Sequence, residues 1–203
     1  MTRHPYSEKL TITHEEINAL PLCSFEGPIE IISHPEKVNR AFEEVMSHSI
    51  IGFDTETKPV FVRGHRNKVA ILQVALPEKV FLIRLLATGL TPEIVNFFQH
   101  EDIRKVGVAI RDDIKALQLL KKFKPAGFVE LTELTRAAGL QVESVKKLTA
   151  LMLGFRISKG AQTSNWEAEE LDIKQIRYAA TDAWVCLQIY HKLQAHSSGS
   201  GRR

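Results

Sequence analysis

The stretch IIGFDTETKP, residues 50 to 59, places Asp54 and Glu56 directly after a run of apolar residues. A segment this rich in β-branched and aromatic residues is predicted to be a buried strand, so the two acids fall at its end. They stand two residues apart, and in an extended chain that spacing puts both side chains on one face. Like charges held side by side repel, and a hard divalent cation is one partner that makes such a pair favourable; ordinary loop acids are the alternative.

Working outward, strands and helices alternate. THEEINAL (13 to 20) has Thr13 with Glu16 three residues on, a capping box for a short helix in an N-terminal arm, residues 1 to 28. IEIIS (29 to 33) reads as a strand, and a helix follows from Pro35 to Ser47 with Val38, Phe42 and Val45 on one face. After the opening strand come KVAILQVAL and KVFLIRL, separated only by Pro77 and Glu78. That connection is too short for a parallel crossover, so these two strands pair antiparallel.

TPEIVNFFQH starts a helix with a Thr cap and Pro92, IRKVGVAI is a strand, and DDIKALQLLKKF is an amphipathic helix with Ile114, Leu117 and Leu120 inward. GFVEL is a short last strand. Helices then dominate: LTELTRAAG, SVKKLTALMLG, and a long helix from Asp172 to His196 whose Asp172 and Gln175 form a second capping box. The polar stretch 197 to 203, SSGSGRR, is expected to be a flexible tail. The fold class implied is a mixed α/β sheet covered by helices on both faces.

The chain has 203 residues, 44% hydrophobic and 25% charged, which suits one soluble globular domain with a sizeable core. A net charge of +3 permits a polyanionic partner without demanding one. Cys23 and Cys186 are far apart and in no metal-ligand spacing, and the N-terminus lacks an apolar signal core, so the cytoplasm is the expected compartment. No phosphate-binding glycine motif follows any strand, which argues against a nucleotide cofactor.

Two further segments carry acids. RDDIKAL offers Asp112 and Asp113 where a strand gives way to a helix; acids there also serve as ordinary helix caps. In QIRYAATDAWVC, Tyr178 and Asp182 lie four apart on one helix face among Ala179, Ala180 and Ala183. A buried tyrosine satisfied by its neighbouring aspartate is the competing reading.

Together, FDTET, VGVAIRDDIKAL and YAATDA resemble the three exonuclease motifs of the DEDD superfamily of 3'-5' exonucleases, whose nearest relatives in pattern are the ribonuclease D and Werner-syndrome-type exonuclease domains. The resemblance extends to KVAILQVA and to LTALMLGFRISKGAQTSNW, and so covers roughly residues 29 to 193, within an expected domain of 29 to 196. It implies a ribonuclease H-like fold with one antiparallel strand and a metal-dependent exonuclease that releases nucleoside 5'-monophosphates from single-stranded 3' ends.

Alignment to the superfamily pattern selects Asp113 over Asp112 and places the chain in the tyrosine subgroup, since Arg177 stands where the histidine subgroup has its base. By the same resemblance, two Mg2+ or Mn2+ ions are expected. Asp54 would bridge them, Glu56 and Asp182 would complete the shell of the water-binding ion, and Asp113 would hold the second. Tyr178 would orient the attacking water, because a tyrosine is a poor base near neutral pH. The expected partner is nucleic acid, with DNA slightly ahead of RNA.

For substrate contacts, the loop KPVFVRGHRNK offers Lys58, Arg63, His65, Arg66 and Lys68 to phosphates, or else it is a solvated loop. Lys159 is the best single candidate for a phosphate contact; Phe61 and Trp166 could stack bases or simply pack, and Ser164 with Trp166 would shape the wall of the site. A nucleic-acid-binding module that kept the fold but lost turnover would be expected to lack an acid, and all four are present.

Overall fold

A computed structural model of the chain describes residues 9 to 62, 64 and 67 to 199, with side chains described up to residue 195. The elements run in the order α1 (His14–Ala19), β1 (Ile29–Ile32), α2 (Pro35–Met46), β2 (Ile50–Thr57), β3 (Val69–Ala75), β4 (Val80–Arg84), α3 (Leu85–Thr88), α4 (Pro92–Gln99), β5 (Arg104–Gly107), α5 (Ile110–Leu120), β6 (Phe128–Glu130), α6 (Leu131–Ala137), α7 (Val145–Leu153) and α8 (Ile173–Gly199). The six strands form one sheet in the order β1-β4-β3-β2-β5-β6. Strand β3 runs antiparallel to both its neighbours, and every other pairing is parallel. This is the ribonuclease H-like mixed sheet with one reversed strand that the sequence implied.

The reversal follows from chain length. A tight turn in which Leu76 N–H donates to the Lys79 carbonyl, 2.8 Å, joins β3 to β4 and leaves no room for a crossover. Both capping boxes form: Thr13 with Glu16, and Asp172 with Gln175 in bonds of 2.8 and 3.0 Å. Thr91 departs from its expected role, because its side chain makes no cap hydrogen bond and Pro92 alone marks that helix start. Strand β5 is shorter than IRKVGVAI suggested: it ends at Gly107, and α5 begins at Ile110 rather than Asp112. Helix α8 continues to Gly199, three residues into the stretch expected to be a tail.

The pleat divides β2 between two layers. Ile51 and Phe53 join a core with Val38, Phe42 and Val45 of α2, Ile94, Phe97 and Phe98 of α4, and Ile110 and Leu117 of α5; Ile114 and Leu120 pack partly buried against it. Gly52, Asp54 and Glu56 face the opposite layer, built on α8. Here glycine is required: a Cβ on Gly52 would lie 2.1 Å from the Ala183 carbonyl oxygen and 3.1 Å from the Ala75 side chain. Ala179, Ala180 and Ala183 line the same side of α8 with small side chains, so the helix settles directly on β2 and β3.

The arm packs behind α8. Phe25 is buried against it, Phe25 N–H donates to the Thr181 hydroxyl at 3.0 Å, and Arg177 Nη1 donates to the Phe25 carbonyl and the Glu26 carboxylate, each at 2.8 Å. Lys105 of β5 is buried completely; its ammonium donates to the His100 carbonyl at 2.6 Å, and burial lowers its pKa to about 8.

Candidate active site

Because α8 sits on Gly52, Asp182 comes to rest beside Asp54, two residues further along β2. Asp54, Glu56 and Asp182 each present a carboxylate oxygen to one point, all within 4.8 Å of one another. The β2–β3 ladder shifts register between Glu56 and Thr57, a bulge at the residue whose carboxylate completes the group. These acids line the floor of a cleft of about 400 Å3 that Thr55, Asp113, Gln162 and Tyr178 also border.

Asp113 borders the group from the first turn of α5. Thr55, on the far face of β2, donates its hydroxyl to Asp113 Oδ1 at 2.5 Å, while Thr55 N–H donates to Asp54 Oδ1 at 2.9 Å. One residue thus ties the strand-end acids to the helix-start acid. Asp112 points elsewhere: its carboxylate accepts from Lys115 at 2.9 Å and is exposed. Of the two aspartates, Asp113 is the one that lines the cleft.

The electrostatics are those of acids crowded together out of water. Burial, followed by repulsion from Asp113, Asp182 and Glu56, holds the Asp54 carboxyl well above the usual range. Burial and the charges of Asp182 and Asp113 push Glu56 up to about 9. Burial raises Asp182 to about 7 against the opposing effect of a hydrogen bond with Tyr178, and burial raises Asp113 to about 6 against the effect of Thr55. Asp182 Oδ1 is buried with no hydrogen-bond partner. A buried, orphaned carboxylate oxygen among other acids is costly, and the donors are all hard oxygens; the residues fit a divalent ion of the Mg2+ or Mn2+ type.

Tyr178 stands one turn before Asp182, half-buried, with its ring 6.0 Å from that of Trp166. Burial and the charges of Asp182, Glu56 and Asp54 drive its phenol far above the ordinary value. Its hydroxyl therefore keeps its proton. The competing reading holds in part: the Tyr178 hydroxyl is hydrogen-bonded to Asp182 and its ring packs partly buried, but the residue also lines the cleft. Trp166 is fully buried and packs beneath Tyr178, so it supports the wall and stacks no base.

The basic candidates separate. Lys159 is exposed beside a smaller cavity of about 140 Å3 that shares Tyr178, Asp182 and Gln162 with the acid cleft. Lys58 turns to Glu167 at 3.3 Å, and Lys68 lies with Asp112 and Lys115 on another surface. Arg63, His65 and Arg66 lie outside the described residues. Phe61 is 91% exposed at the tip beyond β2.

Lys146, which no motif singled out, lines the same small cavity as Lys159. Burial, then the charges of Lys159 and Arg156, lower its pKa. A cationic group assembles there from α7 and the segment after it. Its only signal in the sequence is the KK pair just inside a capped helix start, a pattern more often found on solvated faces.

A family model described as 3'-5' exonuclease matches residues 29–197. The bifunctional 3'-5' exonuclease/ATP-dependent helicase WRN of Mus musculus is 30% identical over 186 residues, covering 86% of this chain, which spans 13% of that relative's length. Among solved structures, the Nibbler EXO domain of Aedes aegypti superposes with a TM-score of 0.79 at 24% identity, covering 88% of this chain and 94% of that one. Trypanosoma brucei RNase D in complex with RNA U12 superposes with a TM-score of 0.72 at 20% identity, covering 91% and 66%. At such identities the two solved structures speak to the fold.

Proposed function

The chain belongs to the 3'-5' exonuclease family, and from that premise we propose that it removes nucleotides one at a time from single-stranded 3' ends, hydrolysing the terminal phosphodiester bond to release nucleoside 5'-monophosphates. The observation that carries the reading is the convergence of Asp54, Glu56 and Asp182 within 4.8 Å, with the protonated Tyr178 hydroxyl beside them. Asp54, Glu56 and Asp182 would hold one divalent cation, and Asp54 with Asp113 a second, either Mg2+ or Mn2+. Bound ions of this kind supply acidification of water and neutralisation of charge on the phosphate and the leaving oxygen.

The residues themselves divide the remaining work. Tyr178 donates a hydrogen bond and so orients the attacking water without removing its proton. Thr55 bridges Asp54 and Asp113, its amide donating to one and its hydroxyl to the other. Lys159 and Lys146 offer positive charge to the phosphates of the strand. Arg63 and Arg66 remain proposed contacts of the same kind. No helix among the described residues is long and apolar enough to cross a membrane, and the compartment we propose is the cytoplasm.

The expected lean toward DNA has no support in the site, and a solved neighbour is an RNase D holding RNA U12; RNA is the substrate to test first. A 5'-labelled single-stranded RNA, and its DNA counterpart, incubated with Mn2+ should give a ladder that shortens from the 3' end. Asp54→Asn should give none. Immediate release of the labelled nucleotide, or equal ladders from both proteins, would overturn the reading.

A further inference from the structure

Asp113 follows a turn that receives no side-chain cap from its own helix. Between β5 and α5 the chain passes through Ala109 at φ 61°, ψ 26°, the one non-glycine residue at positive φ among the described residues. The left-handed region disfavours alanine, and such conformations persist where the surroundings over-determine them. What holds this one is Glu130, at the end of β6. The sheet pairs Glu130 with Gly107, immediately before the turn. Its Oε1 accepts from Ala109 N–H at 3.1 Å and its Oε2 from Ile110 N–H at 3.0 Å. Oε1 also accepts from Thr132 N–H at 3.1 Å and from the Thr132 hydroxyl at 2.8 Å, which fixes the carboxylate itself.

The turn has no slack against β2. A Cβ on Gly107 would meet the Phe53 carbonyl oxygen at 2.6 Å, and Phe53 precedes Asp54. A shift in this turn therefore moves α5, and with it Asp113, relative to Asp54. We propose that Glu130 is a positioning residue of the exonuclease centre: its carboxylate clamps the strained β5–α5 turn and so sets the separation of Asp113 from Asp54. Both its oxygens accept from protein donors, and the role argued for it runs through the turn.

The inference rests on the reading that Asp113 helps to hold a cation. Mn2+ binding to the protein without nucleic acid, read by electron paramagnetic resonance, tests it in Glu130→Gln, Glu130→Gln/Ala109→Gly and Asp113→Asn, with thermal midpoints measured beside. A glutamine presents an N–H to one of the turn's N–H groups, so Glu130→Gln should weaken Mn2+ binding ~10-fold, the scale of partners standing behind metal ligands. Glycine adopts positive φ freely, so Ala109→Gly added to Glu130→Gln should recover part of that loss. Weaker Mn2+ binding in Asp113→Asn but unchanged binding in Glu130→Gln, whatever its thermal midpoint, overturns the positioning role and leaves the centre standing. Unchanged Mn2+ binding in Asp113→Asn overturns the assignment of Asp113 on which the inference rests.

Discussion

Tyr178 and Lys146 make the sharpest predictions at the scale of single residues. With its phenol held protonated by burial and three carboxylates, Tyr178 cannot serve as a base. Tyr178→Phe should lower kcat by roughly one to two orders of magnitude, below the usual scale of a lost acid or base, while KM for oligonucleotide stays put. The pH–rate profile of the wild type should show no inflection belonging to a tyrosine; an alkaline limb that disappears in the phenylalanine variant would contradict the orienting role. Lys146 sits with Lys159 on the small cavity beside Asp182. Lys146→Ala should raise KM several-fold and reduce the salt dependence of single-strand binding by ~0.7 in log–log slope, the loss of one phosphate contact.

At the scale of elements, the contact of α8 with β2 decides whether a site exists. Gly52→Ala would drive a methyl into the Ala183 carbonyl. We expect a loss of ~1 to 3 kcal/mol, as for overpacked cores, measured as a lower denaturant midpoint, together with activity lost well beyond what the residual folded fraction explains. The periodicity of the sequence revealed α2, β2, the β3–β4 pair and both capping boxes, because those signals are local. Asp54 and Glu56 could be paired from their spacing, but Asp182 joined them only through resemblance, since that meeting depends on a helix crossing a strand. Gly52 carries no signal as a single letter within IIGFDT, for its role is set by a carbonyl 131 residues away. Ala109 is equally silent, being an alanine in a conformation that its identity argues against. For Trp166, base stacking and a place in the wall both stayed open, because burial is a tertiary property that an aromatic residue in a loop does not announce; the fold puts it in the wall.

For the whole molecule, the crowded acids should make stability depend on pH and on cations. Asp113, Asp182 and Glu56 have folded pKa values of about 6, about 7 and about 9, all above their ordinary ones, and Asp54 is raised as well. The folded chain thus holds more protons than the unfolded chain across this range. The associated stability is fully present below the unfolded values, near ~4, and drains away as pH rises through the folded ones. Without divalent ions the thermal midpoint should fall between about pH 5 and pH 9, less steeply in Asp182→Asn, and Mn2+ should restore it most at the alkaline end. Lys105, lowered to about 8, works the other way and only above that pH.

The burial of Lys105 also furnishes a clock. Its amine is sealed beneath β5, one strand in from the sheet edge that β6 forms, against the rings of Phe97 and Phe128, while Lys37, Lys115 and Lys174 stand in solvent. An acylating reagent should modify the exposed amines at once and Lys105 only when that edge opens. Peptide mapping of the Lys105 adduct over time would then report how often the core breathes, without any engineered probe.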